Sequence, residues 1–254
     1  MDLHLAGKSV LVTGASKGIG AAIAAAFAEE GCHVALAARS ADLLAEHAGA
    51  LSRAHNVEAT AHPADLRSAE DIARLAAEAP DVDILVNNAG DIPGGPLAAI
   101  DEATWRHAWE LKVFGYINLC RIYYERMKAR GSGVIVNVIG SAGERFDANY
   151  ITGASGNAAL MTFTRALGGR SLDDGVRVVG INPGPVSTER NQMLLKARAA
   201  QEFGDESRWQ EFYKTMPFGR AATPEEIANA VAFLASPRSG YTNGTILTID
   251  GAPG

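Results

Sequence analysis

Residues 10–20 read VLVTGASKGIG, and this stretch decides the fold. It opens with an apolar run, as a buried strand does, and continues into an Ala-rich helical pattern that extends to Phe27. A strand, a glycine-rich turn and a helix in this order predict an anion site, because the backbone N–H groups and the dipole at a helix N-terminus attract a pyrophosphate. An ordinary strand–helix turn is the alternative, since a glycine trio alone is a weak signal. The glycines, spaced G-x-x-x-G-x-G, are Gly14, Gly18 and Gly20.

Three further motifs follow in order along the chain. Residues 83–90 read DILVNNAG, residues 182–188 read NPGPVST, and residues 243–251 run from Asn-Gly-Thr to Asp-Gly. Together with TGASKGIG, these motifs resemble those of the short-chain dehydrogenase/reductase family over almost the whole chain. The resemblance implies a dinucleotide-binding oxidoreductase with a Rossmann-like fold.

Composition favours a single α/β domain over residues 1–254. Lys and Arg number 23 against 29 Asp and Glu, a net charge of −6, so nucleic acid is not an expected partner. Cys32 and Cys120 lie in apolar segments, which predicts buried thiols, and the sequence offers no metal-ligand spacing. A secretory leader and an apolar membrane span are not apparent in the sequence, so a cytoplasmic protein without membrane contact is expected.

Strand-like and helical patterns alternate along the chain. This alternation predicts a doubly wound, mostly parallel seven-stranded sheet with helices on both faces. Residues 189–216 interrupt this alternation, because charged residues are interleaved there with aromatics. The resemblance implies that this segment is a substrate lid. A solvated helical segment is the alternative. The predicted strands are Ser9–Thr13, His33–Ala37, Glu58–Ala61, Ile84–Val86, Val134–Val138, Val176–Ile181 and Ile246–Ile249. The predicted helices are Ile19–Glu30, Ala41–Ala54, Ala69–Ala77, Glu102–Ala129, Gly153–Leu172 and Pro224–Leu234.

Two cations favour NADP(H) over NAD(H) as the cofactor. Arg39 ends the second predicted strand, where an acidic residue would bind a ribose 2′-hydroxyl and an Arg suits a 2′-phosphate. Lys17 lies in the glycine turn nearby. The other cofactor-binding residues, implied by the glycine turn and by the resemblance, are Gly14, Ser16, Gly18, Ile19, Gly20, Asp65, Leu66, Asn88, Ala89, Gly90, Asn157, Pro183, Gly184, Val186 and Thr188.

The catalytic positions depart from the family's pattern. The family uses a Tyr for proton transfer, a Lys four residues later, a Ser that orients the carbonyl, and an Asn on the preceding helix. Aligned on the Ala158-Ala159-Leu160 stretch that follows, the Lys position holds Asn157 and the Tyr position holds Gly153. The Ser position holds Gly140, and the Asn position, placed from Val113-Phe114-Gly115, holds Lys112.

Three residues remain as catalytic candidates. Tyr150 is the nearby phenol, and Ser141 follows Gly140; a loop aromatic packed on the lid and a strand-end capping hydroxyl are their structural alternatives. The family's Asn position holds Lys112 and its Lys position holds Asn157, so the amide and the ammonium have exchanged places. We expect Lys112 to enter the cleft, hydrogen-bond Asn157 and polarise a substrate oxygen, the alternative being a lysine extended to solvent.

Two functions fit the sequence. The first is an NADP(H)-dependent oxidoreductase that acts on a carbonyl or secondary alcohol of a small molecule with atypical catalytic residues. The second is a non-catalytic NADP(H)-binding protein with a sensing or assembly role, because fold does not fix function. The aromatics of Glu102–Ala129, more than one core-facing stripe needs, predict a homodimer or homotetramer formed by this segment and Gly153–Leu172.

Overall fold

Seven parallel strands form one sheet in the order β3-β2-β1-β4-β5-β6-β7. The structure, a computed structural model, describes residues 1–252. The prediction of a doubly wound sheet is confirmed, and every predicted strand is present with its bounds shifted by at most a few residues. The strands are β1 (Ser9–Thr13), β2 (His33–Ala38), β3 (Ala59–Pro63), β4 (Ile84–Asn87), β5 (Gly133–Val138), β6 (Val176–Pro183) and β7 (Ile246–Ile249).

Helices cover both faces of the sheet. The longest ones connect consecutive strands, as right-handed crossovers in a parallel sheet require. Among residues 1–252, no helix combines the length and the apolar character that crossing a bilayer requires. The helices are α1 (Gly18–Glu29), α2 (Ala41–His55), α3 (Ala69–Glu78), α4 (Glu102–Trp109), α5 (Gly115–Arg130), α6 (Ile151–Ser171), α7 (Glu189–Phe203) and α8 (Pro224–Ala235).

Alternating side chains of the strands fill two separate cores. On β1, Val10 and Val12 pack in the core beneath α1, α2 and α8, while Leu11 packs in the core beneath α3 and α5. All three side chains are almost completely buried. Because both faces of the sheet are covered, most of the strands are apolar runs without polar alternation, which explains why they can be predicted from the sequence. The exception is the edge strand β3, in which Thr60 and His62 alternate with alanines.

The helix predicted over Glu102–Ala129 is interrupted. A π-helical turn over Glu110–Phe114 separates α4 from α5 and carries Lys112 at its centre. A π turn inserts one extra residue per turn, leaves an apolar pattern nearly unchanged, and often lies at functional sites. The prediction of one continuous helix is therefore wrong at these five residues.

Two aromatic side chains of α5 pack inside the monomer, whereas the sequence predicted that the aromatics of this segment form an interface between copies of the chain. Tyr116 and Tyr123 are fully buried. Their hydroxyls donate to Val138 O at 2.8 Å and to Ala79 O at 2.9 Å. These two side chains join helix to sheet and helix to helix, so they do not contribute to an exposed aromatic face.

A buried arginine holds the C-terminal end of α8 to the sheet. Arg177 on β6 is 8% exposed and donates to Leu234 O at 2.8 Å, Ala235 O at 2.9 Å and Ser236 O at 3.0 Å. The last carbonyl groups of a helix lack intrahelical donors and carry the negative end of its dipole. The Arg177 guanidinium supplies hydrogen-bond donors to these carbonyl groups and a positive charge near the negative end of the helix dipole.

We predict that Arg177→Met lowers the free energy of unfolding by about 3 kcal/mol, because several buried carbonyl groups lose a charged donor. Arg165→Met on the exposed side of α6 is the matched control and should change it by less than about 0.5 kcal/mol. Urea unfolding measures both. Equal effects of the two substitutions would contradict this role of Arg177.

Candidate functional site

A crevice opens where the crossovers from β1 and β4 run in opposite directions. Gly14, directly after β1, has φ +66°, and a Cβ there would lie 2.9 Å from the Cα of Ala89. A Cβ on Gly20 would lie 2.2 Å from Gly14 O and 2.5 Å from Asn88 Nδ2. These close approaches require glycine, and they bring the predicted phosphate loop against the NNAG segment. Ligands bind at such a switch point in open parallel sheets.

Thr13 holds the two walls of the crevice together, and sequence reasoning missed it. Its fully buried hydroxyl accepts from Asn88 N at 2.9 Å and from Ala89 N at 3.1 Å. The Asn88 side chain returns a hydrogen bond from Nδ2 to Thr13 O at 3.1 Å. A threonine at the end of a strand that precedes a glycine loop was the available signal.

The N-terminus of α1 is open to an anion. Lys17 is the N-cap residue, and its side chain makes no capping hydrogen bond to the first turn. The amide groups of Gly18, Ile19 and Gly20 begin the helix there, and uncapped amides of this kind favour a phosphate. A Cβ on Gly18 would lie 3.2 Å from Thr188 Cγ2, so the segment of residues 189–216 begins beside the same turn.

Both candidate 2′-phosphate cations are exposed and face carboxylates. Arg39 Nη2 lies 3.9 Å from Asp91 Oδ2, and Lys17 Nζ lies 3.6 Å from Glu189 Oε2. More than half of each cationic side chain is exposed, so these pairs are weak. A 2′-phosphate carries more charge than either carboxylate and can compete with both.

The remaining cofactor candidates line the carboxyl ends of the strands. Arg67 engages the carboxylate of Asp65 at 2.8 and 2.9 Å. Leu66 is buried against Gly115. Thr188 caps α7, since its hydroxyl accepts from Asn191 N at 3.2 Å. The other positions are Ser16 in the glycine turn, Gly90 after β4, and Pro183, Gly184 and Val186 at the end of β6.

Asn157 occupies the space that a side chain at position 140 would need. Asn157 is 3% exposed, and its Nδ2 would lie 2.9 Å from a Cβ on Gly140, whose φ is +131°. Among the described residues, Asn157 Oδ1 has no hydrogen-bond partner. A buried amide oxygen without a donor is costly, and a ribose hydroxyl is a donor that would satisfy it.

Tyr150 fills the space left by Gly153 in the same way. A Cβ on Gly153 would lie 2.0 Å from Cε1 and 2.3 Å from Cζ of Tyr150. The phenol ring therefore lies where a side chain from position 153 would begin, having entered from the residue that precedes α6. Burial raises the pKa of Tyr150 above its usual value, and the nearby guanidinium of Arg190 opposes this rise.

Lys112 turns inward from the π turn. Its stem crosses Gly90, where a Cβ would lie 3.1 Å from Lys112 Cδ, and its Nζ donates to Ile139 O at 2.5 Å. The predicted hydrogen bond to Asn157 is not formed, because the ammonium reaches the backbone at the end of β5 instead. Burial lowers the pKa of Lys112 to about 8, and the positive charge of Arg190 acts in the same direction.

Ser141 lies beside this group but is tied to local structure. It is 7% exposed and opens a short 3₁₀ turn, in which its carbonyl accepts from Glu144 N at 2.9 Å. Within residues 1–252, no cluster of three His, Cys, Asp or Glu residues has the arrangement of a metal site. The structure thus brings Lys112, Tyr150 and Asn157 to the carboxyl end of the sheet, beside the crevice.

Comparison with known proteins defines the class. The family model described as enoyl-(acyl carrier protein) reductase matches residues 14–252. A solved protein described as a short-chain dehydrogenase/reductase family protein is 35% identical, with a TM-score of 0.84, and the match covers 99% of this chain and 98% of that one. The chain therefore belongs to the short-chain dehydrogenase/reductase family, and the prediction of an oxidoreductase of that type is confirmed at the level of the family.

Individual relatives act on polyols, ketoses and steroids. Galactitol 2-dehydrogenase (L-tagatose-forming) of Cereibacter sphaeroides is 37% identical over 98% of this chain and 95% of its own length. The 7alpha-hydroxysteroid dehydrogenase of Escherichia coli K12 is 34% identical over 98% of this chain and 95% of its own length. The L-sorbose reductase of Gluconobacter frateurii, solved with NADPH and L-sorbose, is 32% identical with a TM-score of 0.92, over 100% of this chain and 98% of that one.

We predict that Gly153→Ala lowers the free energy of unfolding by about 1–3 kcal/mol, because the new methyl group overlaps the Tyr150 ring. Gly169→Ala on the same helix is the control. A Cβ there meets nothing within 4 Å, so this change should stabilise by up to about 1 kcal/mol through helix propensity. Denaturant unfolding measures both.

The double variant Tyr150→Ala/Gly153→Ala separates the clash from other effects. Against a Tyr150→Ala background, Gly153→Ala should no longer destabilise, because the ring has gone. If Gly153→Ala is as harmless as Gly169→Ala in the otherwise unchanged protein, the ring does not occupy this space.

Proposed function

We propose that the protein is an NADP(H)-dependent oxidoreductase that interconverts a ketone and a secondary alcohol in a small polar molecule, with atypical catalytic residues. The observation that carries the proposal is the inward course of Lys112 to the ends of β4 and β5. A lysine without a catalytic or binding role would extend to solvent, where its ammonium is hydrated. Polyols and ketoses are the substrates to test first, because relatives named for galactitol and L-sorbose match nearly the whole chain.

The residues of the crevice fit a phosphorylated dinucleotide. The open N-terminus of α1 suits the pyrophosphate, and Arg39 and Lys17 suit the 2′-phosphate. The unpartnered Oδ1 of Asn157 suits a ribose hydroxyl. When bound, the nicotinamide supplies or accepts the hydride.

The side chains of the site must then stabilise the charge that develops on the substrate oxygen and provide or accept its proton. We assign to Lys112 the local positive charge that polarises a substrate oxygen, and to Tyr150 a contact with that oxygen. Ser141 is the third candidate, placed to orient the substrate beside them. The residues at 140 and 153 have no side chain, so neither can take part directly.

The assembly and the lid remain part of this proposal. A groove between α3, α5 and α6 is lined by apolar side chains that include Ile122, Phe163 and Leu167, so we expect a homodimer or homotetramer through α5 and α6. Light scattering at micromolar concentration measures the mass of the assembly.

We also expect residues 189–216 to cover the substrate as a lid. Phe212 packs against Leu195 and Ala199 in an apolar cluster within this segment, so the two helical parts of the segment hold together. The cytoplasmic location stays a prediction.

The choice of cofactor follows from charge. We predict that the protein binds NADPH at least about tenfold more tightly than NADH, about 1.4 kcal/mol, and that Arg39→Ala removes most of this preference. The matched control is Arg53→Ala, an exposed arginine at the end of α2. Calorimetric titration of each variant with NADPH and with NADH measures the preference. Equal affinities of the unaltered protein for the two cofactors would contradict the assignment of Arg39 to the 2′-phosphate.

The role of Lys112 predicts a pH dependence. With a pKa of about 8, the ammonium is charged at neutral pH and loses its charge as the pH rises through that value. Ketose reduction should therefore fall above pH 8, and Lys112→Met should lower kcat by about 10²-fold, the scale of one electrostatic contact to the reacting oxygen. Lys8→Met, at an exposed lysine just before β1 and away from the crevice, is the control.

NADPH oxidation across a panel of ketoses and other ketones tests the function itself. Turnover that depends on Lys112 supports an oxidoreductase. Tight NADPH binding without turnover on any member would instead favour a non-catalytic binding protein.

A further inference from the structure

The first turn of α7 is fastened to the chain that follows β4. Arg190 donates from Nη1 to Asp91 Oδ1 and from Nη2 to Ile92 O, each at 2.5 Å. One turn later on the same face of the helix, Leu194 packs over this stretch, since a Cβ on Gly94 would lie 3.9 Å from Leu194 Cδ2. Because α7 is the first helix of the lid, these contacts hold the N-terminal end of the lid beside the crevice.

The carboxylate of Asp91 is shared between the lid and the cofactor site. Its Oδ1 accepts from Arg190, while its Oδ2 lies 3.9 Å from Nη2 of Arg39, the residue assigned to the 2′-phosphate. One carboxylate thus attracts two guanidinium groups, and these two like charges repel each other. The pair with Arg39 is the longer one and is more than half exposed on both sides, so Arg39 can leave it at little cost.

We propose that Asp91 couples the 2′-phosphate site to the lid, an inference that rests on the proposed function and deepens it. While Arg39 faces Asp91, it competes with Arg190 for the carboxylate and repels the Arg190 guanidinium. When Arg39 turns to a 2′-phosphate, its charge is neutralised there, and Asp91 pairs with Arg190 alone. The phosphate that distinguishes NADPH from NADH thereby also holds α7 more firmly against the chain after β4.

A second ion pair at the same end of α7 is too weak to reverse this effect. Lys17 Nζ lies 3.6 Å from Glu189 Oε2, so a phosphate that attracts Lys17 also frees Glu189. Both side chains are mostly exposed, and an exposed pair contributes little. The freed Glu189 remains in the first turn of α7, where the helix dipole favours a negative charge. The Arg190 contact therefore governs how firmly the helix is held.

A coupling between two binding sites acts in both directions, so the state of the lid must also change the affinity for the cofactor. Without Arg190, Asp91 pairs with Arg39 alone, and a 2′-phosphate must then draw Arg39 away from a stronger competitor. Without the charge of Asp91, Arg39 is free for the phosphate, but α7 loses its fastening. The two substitutions therefore have opposite effects on the preference for NADPH and the same effect on the lid.

Calorimetric titration with NADPH and with NADH tests the cofactor side. We expect Asp91→Asn to raise the ratio of the two affinities about two- to fivefold and Arg190→Gln to lower it by about as much, the scale of an exposed ion pair. In the Asp91→Asn background, Arg190→Gln should leave the ratio unchanged, because its effect passes through Asp91. Arg198→Gln removes the same charge from α7 but from a pair with Glu202, so this control should change nothing. Equal effects of Arg190→Gln in both backgrounds overturn the coupling.

Amide hydrogen exchange tests the lid side and needs no turnover. In the unaltered protein, the amides of α7 should exchange about two- to fivefold more slowly with saturating NADPH than with saturating NADH. Asp91→Asn should speed this exchange in the cofactor-free protein and abolish the difference between the cofactors, whereas Glu189→Gln should retain the difference.

The outcomes separate the inference from the proposed function. Tight NADPH binding with equal exchange of α7 under both cofactors overturns the coupling and leaves the oxidoreductase function intact. Failure of the unaltered protein to bind NADPH refutes the proposed function and the phosphate arm of the inference together. The exchange of α7 in cofactor-free Asp91→Asn then decides by itself whether Asp91 fastens the lid, and exchange as slow as in the unaltered protein shows that it does not.

Discussion

The close approach of the loop after β1 to the end of β4 is the constraint on which the rest of the crevice depends. Gly14 and Gly20 allow contacts that no other residue permits, and the buried Thr13 hydroxyl fixes the two segments with hydrogen bonds to Asn88 and Ala89. With that approach fixed, the first turn of α1 and the cations beside it face one space. Backbone geometry, rather than any acidic or basic cluster, thus makes the anion site.

A second feature is the close packing of two glycines with two larger side chains. Two glycines, at 140 and 153, leave space that Asn157 and Tyr150 occupy. A side chain added at either glycine would collide with the residue that occupies this space. Residues 140 and 157, and residues 150 and 153, are therefore packed in pairs, and a change at one position bears on its neighbour.

The sequence predicted the fold well because most of the covered parallel strands are apolar runs, and because the glycine turn is a local motif. It predicted less of the site. The π turn at Lys112 leaves the apolar pattern unchanged, so a continuous helix was the natural reading. The course of the Lys112 side chain depends on the missing Cβ of Gly90, a neighbour distant in sequence. The contact of Arg190 with Asp91 was missed because nothing in the α7 segment indicates that this helix packs against the chain after β4.

We propose that Lys112 and Tyr150 face the reacting atoms and take part in the reaction. A crystal structure of the protein with NADP⁺ and a polyol that it oxidises tests this most directly. We expect the Tyr150 hydroxyl within about 2.6–3.2 Å of the reacting oxygen, the range of a direct hydrogen bond. A reacting oxygen that meets only solvent, with Tyr150 turned away from the nicotinamide, would contradict the account.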